Sequence, residues 1–325
     1  MKKVFALLAV LVVIQSNAQF LDLNIFKPRV AVDGEYVHNT QMNSMSYWNS
    51  GANVLLPIKG KLNFDVDWKQ VLTSKSIKNI IGNIVPKAYQ VFGELGYQRY
   101  HYNAPSYFGS FQTYKAGLTG VWLKYKNKKV RTLLLSGNVR VTEGKAYAKG
   151  IAVNPSLFVG TTVVHRLKNF VVVGGYGSYF GNRFIGAPVL LWYHRFSRKW
   201  SSTMILPVQA KFTWSQSRKF KQELVVSYFG FSHAVKYTPD MIEPIYEGVN
   251  LVSGIRLSTQ SKLKIGNAID LYFEAGWQDL TQSGVVNRYK LMDYRGYDGS
   301  IFGKIRVAIA IGTALIKPKI FDFDM

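Results

Sequence analysis

Apolar residues alternate one by one with polar or small ones over most of this chain, and that rhythm leaves few folds open. The clearest case is IFGKIRVAIAIGTAL at 301–315. Its odd positions are Ile301, Gly303, Ile305, Val307, Ile309, Ile311, Thr313 and Leu315. Its even positions are Phe302, Lys304, Arg306, Ala308, Ala310, Gly312 and Ala314. A β-strand sends alternate side chains to opposite faces, so one face here is greasy and the other small and basic.

The same period recurs along the chain. At 62–72, Leu62, Phe64, Val66, Trp68 and Leu72 oppose Asn63, Asp65, Asp67 and Lys69. At 89–97, Tyr89, Val91, Leu95 and Tyr97 oppose Gln90, Glu94 and Gly96. Leu133, Leu135, Val139 and Val141 oppose Ser136, Asn138 and Arg140; Val249, Leu251, Ile255 and Leu257 oppose Asn250, Gly254 and Arg256. At 263–277, Leu263, Ile265, Ile269, Leu271, Phe273 and Trp277 oppose Lys264, Gly266, Asp270, Tyr272 and Glu274. Further strands are predicted near 28–38, 48–58, 110–125, 150–165, 169–181, 187–196, 199–214 and 219–233. The set makes 14 strands if 199–214 is one strand and 15 if Pro207 divides it.

Apolar/polar alternation fits a soluble β-protein or a barrel with its oil facing lipid. Three features favour the barrel. Aromatic residues gather near the predicted strand ends, at Tyr47-Trp48, Tyr97 to Tyr102, Tyr107-Phe108, Trp192-Tyr193 and Trp200, as interfacial girdles do. The polar faces are rich in small residues suited to a lumen. Short basic turns at 126–129, 166–169, 197–199, 215–219 and 260–262 contrast with longer polar loops at 38–47, 233–248 and 279–300. A membrane-spanning sheet must close on itself, because lipid offers its edges no hydrogen bonds. The expectation is an all-β, antiparallel transmembrane β-barrel with an even strand number, 12 to 16 and best 14. One segment breaks the rhythm: Ile77, Ile80, Ile81 and Ile84 are spaced for a short amphipathic helix over 74–86, ended by Pro86.

The first residues, MKKVFALLAVLVVIQSNA, read as a secretory signal peptide over 1–18, with cleavage between Ala18 and Gln19. Residues 19–325 then form a single barrel domain, with no internal repeat or linker. The chain has no cysteine, which excludes a disulfide framework and a lipoprotein anchor. Loss of the signal's two lysines takes the formal charge from +23 to +21, a balance that favours anionic partners. Export and the lack of any binding module argue against nucleic acid.

The run PVLLWYHRFSRKW at 188–200, continuing to Leu206-Pro207, resembles an uncharacterised family of outer-membrane β-barrels from Gram-negative bacteria. That resemblance implies the fold and the outer membrane, hence outer-membrane lipids and the barrel assembly machinery as partners. It implies no activity. Many such barrels end on an aromatic residue read by the assembly machinery; here Phe323 is followed by Asp324 and Met325.

Chemistry has few handles. The five histidines, His38, His101, His165, His194 and His233, show no zinc spacing, and no cofactor motif is present. The glycine-rich run at 174–181 fits neither a nucleophile elbow nor a dinucleotide loop, although Ser178 lies within it. No catalytic, metal or cofactor residue is assigned. The inward charges form the one constellation: Arg256, Lys264, Asp270, Glu274, Lys304 and Arg306 late in the chain, with Asp65, Asp67, Lys69 and Glu94 early. Closure would bring them together, either as paired charges filling a narrow barrel or as a basic lumen that draws a small anionic solute. The expected function is a small porin-like channel or a structural envelope protein. The alternatives are a barrel enzyme acting on lipid and a soluble exported β-protein.

Overall fold

The computed structural model describes residues 28–39, 46–66, 84–104, 107–126, 129–145, 150–166, 169–180, 183–237, 246–287 and 290–311. The signal peptide with its Ala18–Gln19 junction, most of the predicted helix and the last residues lie outside them.

Every described element is a strand. They are β1 (Arg29–Asn39), β2 (Ser46–Val66), β3 (Ile84–Ala104), β4 (Tyr107–Lys126), β5 (Lys129–Lys145), β6 (Gly150–Arg166), β7 (Asn169–Phe180) and β8 (Arg183–Arg195). Then follow β9 (Trp200–Leu206), β10 (Gln209–Ser215), β11 (Phe220–Tyr237), β12 (Tyr246–Ile265), β13 (Ile269–Asn287), β14 (Lys290–Tyr297) and β15 (Ser300–Ala310). Each strand from β1 to β13 pairs antiparallel with the next, β15 pairs with both β13 and β1, and the sheet closes. β14 and β15 both pair with β13 in continuous register, Thr281 opposite Tyr297 and Gln278 opposite Ser300. They are therefore two parts of one wall strand, and the barrel has 14 strands.

That count matches the sequence reading through two errors that cancel. Residues 48–58 and the first part of 62–72 belong to one strand, β2, whose register shifts near Ile58, beside Pro57. Pro cannot donate to a ladder and sits at such irregularities. Conversely, 199–214 is a hairpin: Val208 N donates to Ile205 O at 2.7 Å, and β9 folds back on β10. The predicted turn at 260–262 lies inside β12, and the true turn is 266–268, where Gly266 has φ +61°. The predicted loop at 279–300 is mostly β13 and β14. The end of the predicted helix, Ile84 to Pro86, starts β3.

The oil faces outward. On β15, Ile301, Ile305 and Ile309 are exposed while Phe302 and Ala308 are buried. The same holds around the wall, with Leu118, Leu135, Leu157, Leu224 and Leu257 all exposed. Alternation also corrects the girdle reading, since neighbouring aromatics point opposite ways. Trp48, Tyr97 and Trp192 lie outside, whereas Tyr47, Tyr100 and Tyr193 turn inward. Outside, near the short turns, Trp200 stacks on Phe212 and Trp214 at 5.1 and 5.8 Å.

One sector departs from a simple cylinder. β9 and β10 are only seven residues long, so above their turn 183–189 of β8 and 229–237 of β11 have no ladder partner on the facing side among the described residues. Pro188, with no N–H to donate, sits on that free edge. There β11 approaches β5 and β6 across the interior. Tyr228 and Leu251 share the parity of outward-facing Val226 and Ile255, yet both are buried in a cluster with Phe158, Val172, Tyr176 and Val189 from β6 to β8. The upper part of β11, carrying β12 with it, therefore leans into the barrel. A bulge between Ser253 and Ile255, opposite Leu280 with its φ of 51°, marks the bend.

Candidate functional site

Closure places β1 beside β15, and the register sets Glu35 opposite Lys304 and Asp33 opposite Arg306. All four residues are on the inward face. Glu35 is the centre of the interior network. Its Oε1 accepts from Arg256 at 2.5 Å and from the Tyr47 hydroxyl at 2.8 Å, and its Oε2 accepts from Arg256 at 3.2 Å. The Arg256 guanidinium also donates to the Tyr47 hydroxyl and to Gln278 Oε1 at 3.1 Å. Phe229 and Phe302 sandwich it, their ring centres 4.4 and 4.3 Å away. Lys304 adds positive charge 3.6 Å from Glu35 and 3.9 Å from Asp33. A buried ion pair offsets its desolvation only when its remaining donors and acceptors are satisfied, which this arrangement does.

Beside the network, rings from opposite walls meet. Phe231 of β11 lies 5.0 Å from Tyr100 of β3, 5.6 Å from Phe111 of β4 and 5.5 Å from Tyr47. Tyr100 stacks on Phe111 at 4.5 Å. β4 and β11 are seven places apart in a ring of 14, so this contact crosses the lumen. The inward lean of β11 makes it possible.

A second charged group lies on the β3–β5 side. Lys115 Nζ is 3.0 Å from Glu94 Oε1, and Lys115 faces Arg140 across the β4–β5 ladder. A cavity of about 100 Å³ opens between this group, Asp33 and the Phe231 ring.

The ten charges predicted from sequence fall into several places. Arg256 and Lys304 meet in the central network. Glu94 pairs with Lys115, outside it. Glu274 accepts from Ser258 Oγ at 2.7 Å. Asp270 is opposite Lys264 in the ladder, but its ion-pair partner is Lys262 at 3.4 Å. Arg306 faces inward, and its buried Nε has no hydrogen bond among the described residues. Asp67, Lys69 and the side chain of Asp65 lie outside the described residues. Sequence reasoning missed Glu35, Asp33, Tyr47, Lys115 and Lys262. The alternation of β1, with Asp33 and Glu35 against Val32 and Tyr36, held the signal for the first two. Ser178, the one serine considered as a nucleophile, is buried and donates to the Pro155 carbonyl at 2.9 Å.

No family model and no curated protein sequence matches this chain. Among solved structures, it is similar to the transport unit of the autotransporter AIDA-I from Escherichia coli, at 8% identity and a TM-score of 0.32, over 87% of this chain and 89% of that one. It is also similar to the β domain of the Bordetella autotransporter BrkA, at 10% identity and a TM-score of 0.30, over 88% and 99%. The translocator domain of the autotransporter NalP from Neisseria meningitidis gives 10%, 0.29, and 87% of each chain. The barrel itself rests on the closed ladder described above.

Proposed function

We propose that this chain is an outer-membrane barrel, closed at rest, that opens as a narrow conduit for small polar solutes and is not a standing diffusion pore. The contact of Phe231 with Tyr100 and Phe111 across the lumen carries the reading, because it fills the centre at the level of the Glu35–Arg256 pair. Polar, charge-paired walls around it suit passage of water-borne solutes. Among the described residues, β11 beyond Tyr228 has a ladder partner on one side only, so it can withdraw Phe231 without breaking a second ladder. The even strand number and the exposed apolar belt support a bilayer location. The exposed basic turns bearing Arg198, Lys199, Arg218 and Lys219, beside the Trp200 cluster, suit lipid phosphates at one membrane face. Folding into that membrane makes the barrel assembly machinery a partner. No catalytic role is part of this reading.

The close pairing of interior charges, Arg256 with Glu35 at 2.5 Å and Lys115 with Glu94 at 3.0 Å, favours a second reading, a purely structural envelope barrel. Planar-bilayer recording separates the two. Wild type should show small, infrequent openings, and Phe111→Ala with Phe231→Ala should give steady, larger conductance. Large steady conductance in wild type would reject a closed barrel. Silence in both proteins would favour the structural reading. Cell fractionation tests location: resistance to carbonate and urea extraction is expected, and recovery as a soluble periplasmic protein would reject the membrane barrel.

A further inference from the structure

We propose that the cavity beside Phe231 binds a small zwitterion, an amino-acid-sized solute with one ammonium and one carboxylate group. The inference names the solute of the conduit proposed above, and so rests on that reading for its biological use, though not for binding itself.

Charge balance is the first argument. Asp33 and Glu94 line the cavity together with Lys115 and Arg140, so its formal charges cancel. A simple anion would be buried against two carboxylates, and a simple cation against two bases; either costs free energy in a low-dielectric site. A solute with both charges meets neither penalty.

The second argument is an orphan acceptor. Glu94 Oε1 is held by Lys115, but Glu94 Oε2 is buried and accepts no hydrogen bond among the described residues. Buried carboxylate oxygens are normally satisfied, and an ammonium group brings three donors. On the same side, Arg140 lines the cavity with Lys115 directly across the ladder from it, and the two supply the positive charge that a carboxylate needs.

Size is the third. An apolar cavity of roughly 150 Å³ holds the six heavy atoms of benzene, so about 100 Å³ scales to about four. Glycine, with about five, is of that order, and alanine, with about six, is the upper bound. The rest of the wall combines the rings of Tyr100, Phe111 and Phe231, which suit a short aliphatic part, with the neutral polar side chains of Asn53, Gln98, Thr113 and Ser232, so it brings no further charge. Gly230, Phe231 and Ser232 of the leaning strand form one side of the cavity, which makes β11 its lid.

Isothermal titration of the detergent-purified barrel tests this with glycine and L-alanine as probes, and acetate and methylammonium as half-ligands. Saturable binding of an amino acid is expected, with each half-ligand weaker by about tenfold or more, the worth of a charged hydrogen bond. Glu94→Gln and Arg140→Gln should each weaken amino-acid binding by a similar factor, while Arg218→Gln in an exposed turn should not. Barrels that retain faster unheated gel migration count as folded. The wild-type comparison stands even if a variant does not fold. Acetate binding as well as glycine would make this an anion site and overturn the proposal, as would no binding by either amino acid. Amino-acid binding without conductance would keep the site and reject the conduit; conductance without such binding would do the reverse.

Discussion

At the scale of single residues, Arg256 is the member most dependent on its surroundings. Its guanidinium reaches Glu35, Tyr47 and Gln278 between two rings, with little water to screen it. Removing one partner of a buried pair costs about 3–5 kcal/mol, whereas replacing both with neutral groups costs far less. Arg256→Met should therefore lower the urea midpoint of unfolding strongly. Adding Glu35→Gln should recover part of that loss, because Glu35 would otherwise keep a buried charge facing only Lys304. Losses that simply add would show the pair is uncoupled. Arg256 was legible in the sequence because its neighbours alternate cleanly. Its partner was legible too, in the faces of β1, but the pairing needed closure: Glu35 and Arg256 are 221 residues apart. Lys262 was hidden for a different reason, since a polar TQSK run reads as a turn whether or not the ladder continues through it.

Among the elements, β15 shows how far alternation alone can go. Its faces were assigned from the sequence, and Ile305 at 55% and Ile309 at 46% exposure lie opposite to Phe302 and Ala308, each at 4%. A basic side chain at the lipid midplane costs about 2–4 kcal/mol. Ile309→Arg should therefore reduce the heat-modifiable, outer-membrane form of the protein, while Ala308→Ser, one position along, should leave it unchanged. Equal tolerance of both would place Ile309 away from the apolar belt. Element boundaries were less legible, and for a local reason. Nothing in the period distinguishes one long strand with a bulge, as in β2, from two strands, nor one strand from a tight hairpin, as at Pro207. Both alternatives keep every apolar residue on the same face.

At the scale of the whole molecule, the bend of β11 is the feature no sequence pattern announces. Leu224, Val226 and Tyr228 share one face by parity, yet their burial differs: Leu224 is 51% and Val226 46% exposed, whereas Tyr228 is 7%. Outward-facing and inward-leaning segments have the same parity, and only the tertiary path tells them apart. That path follows from strand length. β9 and β10 stop short, so in the proposed outer-membrane location the free edge of β11 would meet lipid if it stayed in the wall, and unpaired backbone groups are costly there. Tucking the edge inside moves it next to β5 and β6 and buries Tyr228 on Val172 and Tyr176's side of the barrel. Single cysteines read this directly, since the parent chain has none to interfere. In membranes, a lipid-soluble maleimide should label Leu224→Cys, Val226→Cys and Phe184→Cys on the outer face, and should spare Tyr228→Cys and Leu251→Cys. Mutant barrels that keep fast unheated migration are the ones to score. Labelling of 228 and 251 at the rate of 226 would put the whole of β11 and β12 in the wall. Phe231 would then have no route to Phe111, and the closed lumen would have to be abandoned with it.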